Sequence, residues 1–585
     1  MNKTLLAELF GQMADLMEIL GEDRFRVISY RTASRVVAES TADLEALAKA
    51  GQLQTLPGIG KSTEAKILEY IQTGQIARHQ ELLAKVPPGL AGLLRLQHLG
   101  PKTALKLWKE LDIRSLDDLR EVLANHPERI EDLPGMGAKK VALLKESAEF
   151  TTSASGRHRI DEALEIAAML ESAVKACKGV DELALAGSAR RWRETVGDID
   201  ILVSAGQKSA ARIMEAFRSC QAVTKVLAGG QTKCSVIVNG KVQADLRVVG
   251  KESFGAALQY FTGSKDHNVA LRGIAIKHGW KLNEYGLFEE KEGKQGRRIA
   301  GADEEGIYRK LGLAWVPPEL RENRGEIEAA AAGKLPRLLE EADIQGDLHM
   351  HTTATDGAGS ITDMIESCRA MGYKYLAITD HSRSQPQTGG LSPKALLEHA
   401  AAVRAAAKDY PDMLVLAGTE CDILKDGTLD YPDDVLAKLD FVLAAPHAAL
   451  NAKGPAATER LLRAIANPHV HAIAHPTGRL INERAGMEVD IQRICQAAAE
   501  GGVALEVNAH PLRLDLRDVH VQAAVKAGAK LVICTDAHTP GPAGDLALMR
   551  YGVATARRGW ATPDDVINAW PAGKLRAFLQ QRRPR

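Results

Sequence analysis

Asp198 and Asp200 stand two residues apart in GDIDILV, where Ile199, Ile201 and Val203 alternate with them. Alternate side chains of a strand share a face, so the two carboxylates point the same way from a rigid element. VQADLRV repeats the pattern, with Val242, Ala244, Leu246 and Val248 on the apolar face and Asp245 opposite. If the two strands are neighbours, three carboxylates meet, and like charges that close require cations to neutralise them. Two divalent ions about 3.5 to 4 Å apart are the usual arrangement for in-line phosphoryl transfer. Just upstream, Gly187 and Ser188 end the strand ELALAG in a turn that exposes N–H groups and a hydroxyl. Arg190, Arg191 and Arg193 follow it. Such donors suit phosphate oxygens.

This order resembles the nucleotidyltransferase palm of the family X DNA polymerases, which carries a GS turn, a nearby arginine, a paired GDxD and a later lone aspartate. The resemblance implies that Asp198, Asp200 and Asp245 hold two Mg2+ ions and that Gly187, Ser188 and Arg191 receive the triphosphate of a dNTP. It continues into YFTGSKDHNVALRGIA, residues 260–275, which is similar to the family's nucleotide-selecting thumb. By that likeness Tyr260 and Phe261 lie beneath the sugar, Gly263 lets backbone approach, and Asn268 and Arg272 face the new base pair. Lys265 and Asp266 depart from the Asp and apolar residue that animal members carry there.

The first 150 residues read as helices broken by three turns of one design, LPGIG (56–60), LQHLGPK (96–102) and LPGMG (133–137). In a helix-hairpin-helix the glycines take conformations closed to other residues, and free N–H groups opening the second helix face a DNA phosphate. The expected backbone contacts are Gly58, Gly60, Lys61, Gly100, Lys102, Gly135 and Gly137, and they ignore base sequence. Family resemblance adds a K+ or Na+ ion held by hairpin carbonyls such as those of Leu94, Leu96 and Leu99. The first hairpin region is also similar to the family's deoxyribose-phosphate lyase domain, with Lys66 at the Schiff-base position and Arg26, Arg31 and Lys61 as cations that would lower its pKa.

Eleven of the 17 histidines lie after residue 340, and many of them follow short apolar strands. His349, His351 and Asp356 follow the first; His381, Glu420, His447 and His475 end the next four; Asp536 and His538 follow LVICT. Strands of four to six residues alternate with Ala-rich helices, the pattern of a parallel β/α barrel whose active site gathers at the C-terminal strand ends. Such imidazoles and carboxylates suit up to three divalent ions of the Mn2+, Zn2+ or Fe2+ type. The order resembles the PHP phosphoesterases. That likeness assigns His349, His351, Glu420 and Asp536 to one ion, Glu420, His447 and His475 to a second, and Asp356, His381 and His538 to a third. His399, His469, His471, His510 and His520 lack such placement and read as ordinary, and the loop from Glu506 resembles a family loop of no assigned role.

The resulting fold class is multidomain: an α-helical helix-hairpin-helix front, an α+β palm with thumb, and a C-terminal α/β barrel of the (β/α)7 type. The expected divisions are a lyase-like domain at 1–80, fingers at 81–150, palm at 151–255, thumb at 256–315, a linker at 316–340 and the phosphoesterase domain at 341–585. Residues 1–315 hold 45 Lys and Arg against 41 Asp and Glu, and the remainder 30 against 34. That imbalance agrees with DNA binding by the front half but is too small to establish it. The seven cysteines are isolated, without a CxxC pair, which points to a reduced cytoplasm. The first twenty residues read as an amphipathic helix rather than a signal peptide, and no run is long enough to span a membrane.

Together these features predict a monomeric, cytoplasmic repair enzyme that binds gapped or nicked DNA and dNTPs. Its front half would fill short gaps. By resemblance to family members, its Mn2+-dependent tail would act as a 3′–5′ exonuclease, a 3′-end cleaner or an abasic-site endonuclease. Two alternatives remain at this stage: a phosphatase of the histidinol phosphate type with a DNA-binding, non-polymerising front, and a DNA-end scaffold without catalysis.

Overall fold

The computed structural model describes residues 3–581 apart from 41–43, 88, 91–92, 94–98, 138–139, 142–143, 146–156, 292–293, 451 and 453. The carbonyls of Leu94 and Leu96, expected to help hold a hairpin cation, therefore lie outside the described residues. The chain divides into two compact units, 1–156 and 157–585.

The first unit is helical. Its helices Lys3–Ile19 and Arg24–Glu39 pack through Leu6, Phe10, Met13, Val27, Tyr30 and Val37, and the helices that follow share their core. Asp23 caps the second helix by accepting from the backbone N–H of Phe25 and of Arg26, which satisfies donors that a helix start leaves unpaired. In the hairpin turns Ile59, Leu99 and Met136 are buried plugs. Gly60 and Gly100 then stand immediately before the helices Lys61–Thr73 and Pro101–Leu111. Gly58 has φ +89°, and a Cβ on it would come 2.5 Å from Thr32, so the first turn requires glycine there.

The second unit opens with a five-stranded sheet in the order Val180–Leu185, Asp198–Ala205, Val242–Val249, Lys233–Val238, Val223–Gly229. All neighbours are antiparallel except Asp198–Ala205 with Val242–Val249. Helices Ile160–Lys175 and Gln207–Arg218 cover its apolar face through Ile166, Leu170, Ile213 and Phe217. Next come helices Phe254–Thr262 and Lys265–Lys277, a three-stranded antiparallel sheet and helix Glu304–Lys310.

Residues 316–340, expected as a connector, pack into this same core. Val316, Leu320, Ile327, Ala330 and Leu338 join Leu271, Leu282, Ile307 and Tyr308. Glu326 is fully buried and meets His267 Nδ1 at 2.6 Å, while His267 Nε2 meets the Tyr308 hydroxyl at 2.7 Å. The charged composition that read as a connector between domains also supplies a satisfied buried polar network.

Seven parallel strands follow in strict sequence order: Gly346–Asp347, Tyr375–Ile378, Leu414–Asp422, Phe441–Ala445, Ala472–Ile473, Ala504–Asn508 and Leu531–Cys534. A parallel bridge between Met350 and Ala537 joins the last to the first, with the His351 N–H donating to the Ala537 carbonyl at 2.8 Å. Leu348, Leu416, Leu443 and Val532 fill the interior with Trp570, Leu575 and Leu579. The barrel interior is thus a packed core rather than a pore. Among the described residues no helix is long and apolar enough to cross a membrane, and all seven cysteines are free.

Candidate active sites

The parallel pairing sets Asp200 and Asp245 directly opposite each other and Asp198 opposite Gln243, so the three acids share one face. Burial and then the charges of Asp198 and Asp245 raise the Asp200 carboxyl to about 7, and burial together with Asp245 raises Asp198. Carboxyls clustered in this way, with their charged forms disfavoured by one another, have the donor chemistry that could hold divalent ions. Sequence reasoning did not single out two further contacts: Gln243 Nε2 donates to Asp245 Oδ1 at 3.0 Å, and Lys233 Nζ lies 3.3 Å from Asp245 Oδ2. Gln243 was legible, being two residues before Asp245 on the same strand face. Lys233 depended on strand register.

Gly187 has φ +65°, and the Ala186 N–H donates to the Asp200 carbonyl at 2.8 Å. The GS turn therefore lies against the acids. Its arginines are each engaged by a carboxylate. Arg190 makes a bidentate pair with Glu304 (2.8 Å twice) and reaches Thr262 Oγ1 at 2.7 Å. Arg191 donates to Glu322 at 3.1 Å and to the Thr262 carbonyl. Burial alone would raise the Glu304 carboxyl, but Arg321 and Arg190 overcome it and hold it at about 2.

In the thumb, Gly263 has φ +68° and a Cβ there would come 3.2 Å from Arg191 Nη1. Tyr260 and Phe261 meet edge to face at 5.1 Å, and the Arg247 guanidinium lies 4.3 Å over the Phe261 ring. Asn268 is buried, accepting from Gln259 at 2.7 Å and donating to the Tyr260 carbonyl at 2.8 Å. Arg272 is half-buried on the same helix.

At the barrel rim all nine predicted side chains converge, and Glu420 is their centre. Its carboxylate lies 2.8 Å from His381 Nδ1, 2.8 Å from His475 Nε2, 3.2 Å from His447 Nε2, 3.5 Å from His349 Nε2 and 3.7 Å from His351 Nε2. Asp536 Oδ1 is 3.2 Å from His349 Nε2 and 3.1 Å from His351 Nε2. Asp356 is 3.5 Å from His381 and 3.4 Å from His538. Three sets have ligand atoms close enough to share an ion: His351, Asp356, His381 and His538; His349, His351 and Asp536; and His381, Glu420 and His447. His351 and His381 each belong to two of these sets, a sharing the sequence grouping did not contain. Despite these close approaches, buried His349 Nε2, His351 Nδ1, His381 Nδ1 and Glu420 Oε2 make no hydrogen bond of good geometry, the state expected of side chains that could hold cations.

Carboxylates behind the ligands orient them. Glu506 Oε1 meets His349 Nδ1 at 2.7 Å, and its other oxygen accepts the His475 N–H. Asp422 meets His447 Nδ1 at 2.8 Å. Asp380 accepts from the N–H and hydroxyl of Thr352, both at 2.9 Å, and meets His399 Nε2 at 2.8 Å. His399, read as ordinary, thus braces the loop between His351 and Asp356, while His471 accepts from the Val442 N–H. Asp536 has φ +57°, a conformation that costs about 1–3 kcal/mol for a non-glycine residue and is held by its surroundings.

In the first unit Lys66 Nζ donates to Ser62 at 3.3 Å and lies 5.7 Å over the Tyr30 ring. Arg31 is engaged by Asp15 and Glu18 rather than by the lysine's surroundings.

Known proteins give these sites a family. Residues 1–76 match a helix-hairpin-helix domain, 91–149 a SAM-like helix-hairpin-helix tandem, 257–322 the DNA polymerase beta thumb and 347–510 the PHP domain. The DNA polymerase/3'-5' exonuclease PolX of Bacillus subtilis (strain 168) is 38% identical over 583 residues, spanning 99% of this chain and 100% of that protein. DNA polymerase lambda of Arabidopsis thaliana is 27% identical over 347 residues, 54% of this chain and 61% of that protein. A probable phosphatase of Acetivibrio thermocellus is 33% identical over only 168 residues, 28% of this chain and 65% of that protein. With thumb, hairpins and barrel each matched and the likeness to PolX running end to end, this chain belongs to the PolX family of DNA polymerases that carry a C-terminal PHP domain.

Proposed function

We propose that the protein is a DNA-directed DNA polymerase that fills short gaps during repair and that its barrel is a Mn2+-dependent 3′–5′ exonuclease, also suited to cleaning 3′ ends or cleaving at abasic sites. The observation that carries the polymerase reading is the direct pairing of Asp200 with Asp245 beside Asp198. Two Mg2+ ions bound there would lower the pKa of the primer 3′-hydroxyl and neutralise charge on the phosphates. Asp198 and Asp200 would hold both ions and Asp245 the one beside the primer. Ser188 and Arg191 would take the β and γ phosphates, and Tyr260 and Phe261 would exclude a 2′-hydroxyl.

In the barrel, Glu420 and the surrounding histidines would hold the ions, and Glu506 and Asp422 would fix the tautomers of His349 and His447. The ions, Mn2+ or Zn2+, would activate water against phosphorus. Gly58, Gly60, Lys61, Gly100, Lys102, Gly135 and Gly137 would hold the DNA backbone, with K+ or Na+ shared at the hairpins, and Lys66 would serve as the lyase nucleophile. The protein would work as a cytoplasmic monomer. The phosphatase alternative rested on the barrel alone, and the end-to-end likeness to a polymerase/exonuclease sets it aside.

Extension and degradation of a labelled gapped duplex in Mg2+ and in Mn2+ tests both halves. Asp200→Asn should abolish extension and spare degradation, and Asp536→Ala should do the reverse. Normal extension by the first variant, or full nuclease activity in the second, would move the respective site elsewhere.

A further inference from the structure

The helix Met549–Arg558 belongs to the barrel, yet its last residue reaches the GS turn of the palm. Arg558 is buried. It donates to the Arg191 carbonyl at 2.6 Å, to Glu322 at 3.1 Å and to Asp518 at 2.7 Å. Glu322 is the carboxylate that also receives Arg191 (3.1 Å) and faces Arg193 at 3.7 Å. Asp518 in turn binds Arg324 at 3.0 Å. The N–H groups of Asn323 and Arg324 are held by Glu326 at 2.8 and 2.7 Å, and Glu326 anchors His267, the neighbour of Asn268.

One barrel arginine is therefore tied to both parts of the proposed nucleotide pocket. Through the Arg191 carbonyl it fixes the turn, and through Glu322 and Asp518 it fixes the segment that braces the thumb. Around it Trp192 packs edge to face on Tyr551 at 6.0 Å, and Glu194 pairs with Arg479 at 2.8 Å, so the turn is gripped from the barrel along its length. Glu322 faces three guanidiniums. Sharing one carboxylate this way leaves Arg191 incompletely neutralised and able to take a phosphate's charge while remaining anchored.

We propose that Arg558 is a positioning residue for nucleotidyl transfer, one that holds Arg191 and the thumb in the geometry that receives the triphosphate; this rests on the reading of Ser188 and Arg191 as the phosphate cradle. The hydrolytic domain is then part of the polymerase's nucleotide pocket, and deleting or loosening it weakens dNTP binding before it affects the acids. Mere domain adhesion would alter stability without a selective effect on dNTP.

The test uses the full-length chain, a gapped primer–template and the complementary dNTP. Arg558→Ala should raise the dNTP KM by at least about tenfold with kcat changed less than threefold and 3′-end hydrolysis unchanged, and Arg558→Lys should restore most of the loss. Glu322→Gln should move KM in the same direction. Ser188→Ala is the control for the cradle. If it leaves KM unchanged, the cradle reading fails and the proposal falls with it. If Ser188→Ala raises KM while Arg558→Ala does not, the proposal alone is overturned. Should Arg558→Ala lose hydrolysis and its melting transition, Glu322→Gln decides, and an unchanged KM in that variant rejects the assignment.

Discussion

A Cβ added to Gly187 would sit 2.6 Å from Asp200 Oδ2. The turn that would receive phosphate is thus packed onto the carboxylate that would hold metal, with no room for even one methyl group. Gly187 also lies in the left-handed region at φ +65°, so alanine there is opposed by backbone strain as well as by the clash. Gly187→Ala should lower primer extension at least about a hundredfold and leave hydrolysis by the barrel intact. Steady-state extension on a gapped duplex checks this, and activity within threefold of normal would show that turn and acid do not act together.

Glu420 touches five imidazoles. Removing its charge should disturb every ion of the rim at once. Glu420→Gln is expected to lose hydrolysis by more than a hundredfold and to bind less Mn2+ per chain, measured by elemental analysis after dialysis, while primer extension persists. Undiminished Mn2+ content would mean that the ions sit elsewhere.

Glu506 holds His349 at 2.7 Å from behind. Partners of this kind are worth about 10–100-fold in metal affinity. Glu506→Gln should therefore shift the Mn2+ dependence of hydrolysis to higher concentration by that factor and recover near-normal activity at saturating Mn2+. A variant that stays inactive at every Mn2+ concentration would argue for a direct catalytic part instead.

Acid should unfold the second unit through its buried ion pairs. Burial disfavours the charged forms of Glu194 and Glu304, but Arg479 and Arg517 for the first, and Arg321 and Arg190 for the second, hold both at about 2 against an ordinary 4.5. A carboxyl depressed on folding stabilises fully above its unfolded pKa and loses that contribution as pH falls toward its folded one. Thermal melting should decline steadily from pH 5 toward pH 2. Glu304→Gln should melt lower at neutral pH, by about 3 kcal/mol for a broken buried pair, and show a flatter acid slope. An unchanged slope would assign the acid sensitivity to other groups.

Lys66, lying over the Tyr30 ring, is the lyase candidate. Borohydride reduction on a 5′-deoxyribose phosphate end should cross-link the wild type, and Lys66→Ala should give less than about a tenth of that product. An equal yield would place the Schiff base on another amine or remove the activity.

Much of this was written locally. Alternation of Ile199, Ile201 and Val203 with Asp198 and Asp200 predicted a strand with acids on one face, and that strand is present at Asp198–Ala205. The apolar runs preceding the tail ligands predicted the barrel, and seven parallel strands follow in that order. Local periodicity suffices there because the side-chain repeat of a strand is a property of the chain itself. It did not reveal the packing of 316–340, where a proline pair and charges read as a connector between domains. Glu326 and Arg321 there are fully buried, because their partners His267 and Glu304 lie 59 and 17 residues away along the chain.

By its own residues, then, the sequence determined which groups would gather: three aspartates on two strand faces, nine imidazole and carboxylate side chains at strand ends and glycines in repeated turns. Only the tertiary structure decided how they are shared and held. It made Glu420 the common partner of five histidines, set Glu506 and Asp422 behind the ligands, and turned Arg190 and Arg191 onto glutamates 114 and 131 residues away. Strand alternation is local, whereas partner choice depends on register and on which buried charge finds its counter-charge, and those are settled only when distant elements pack.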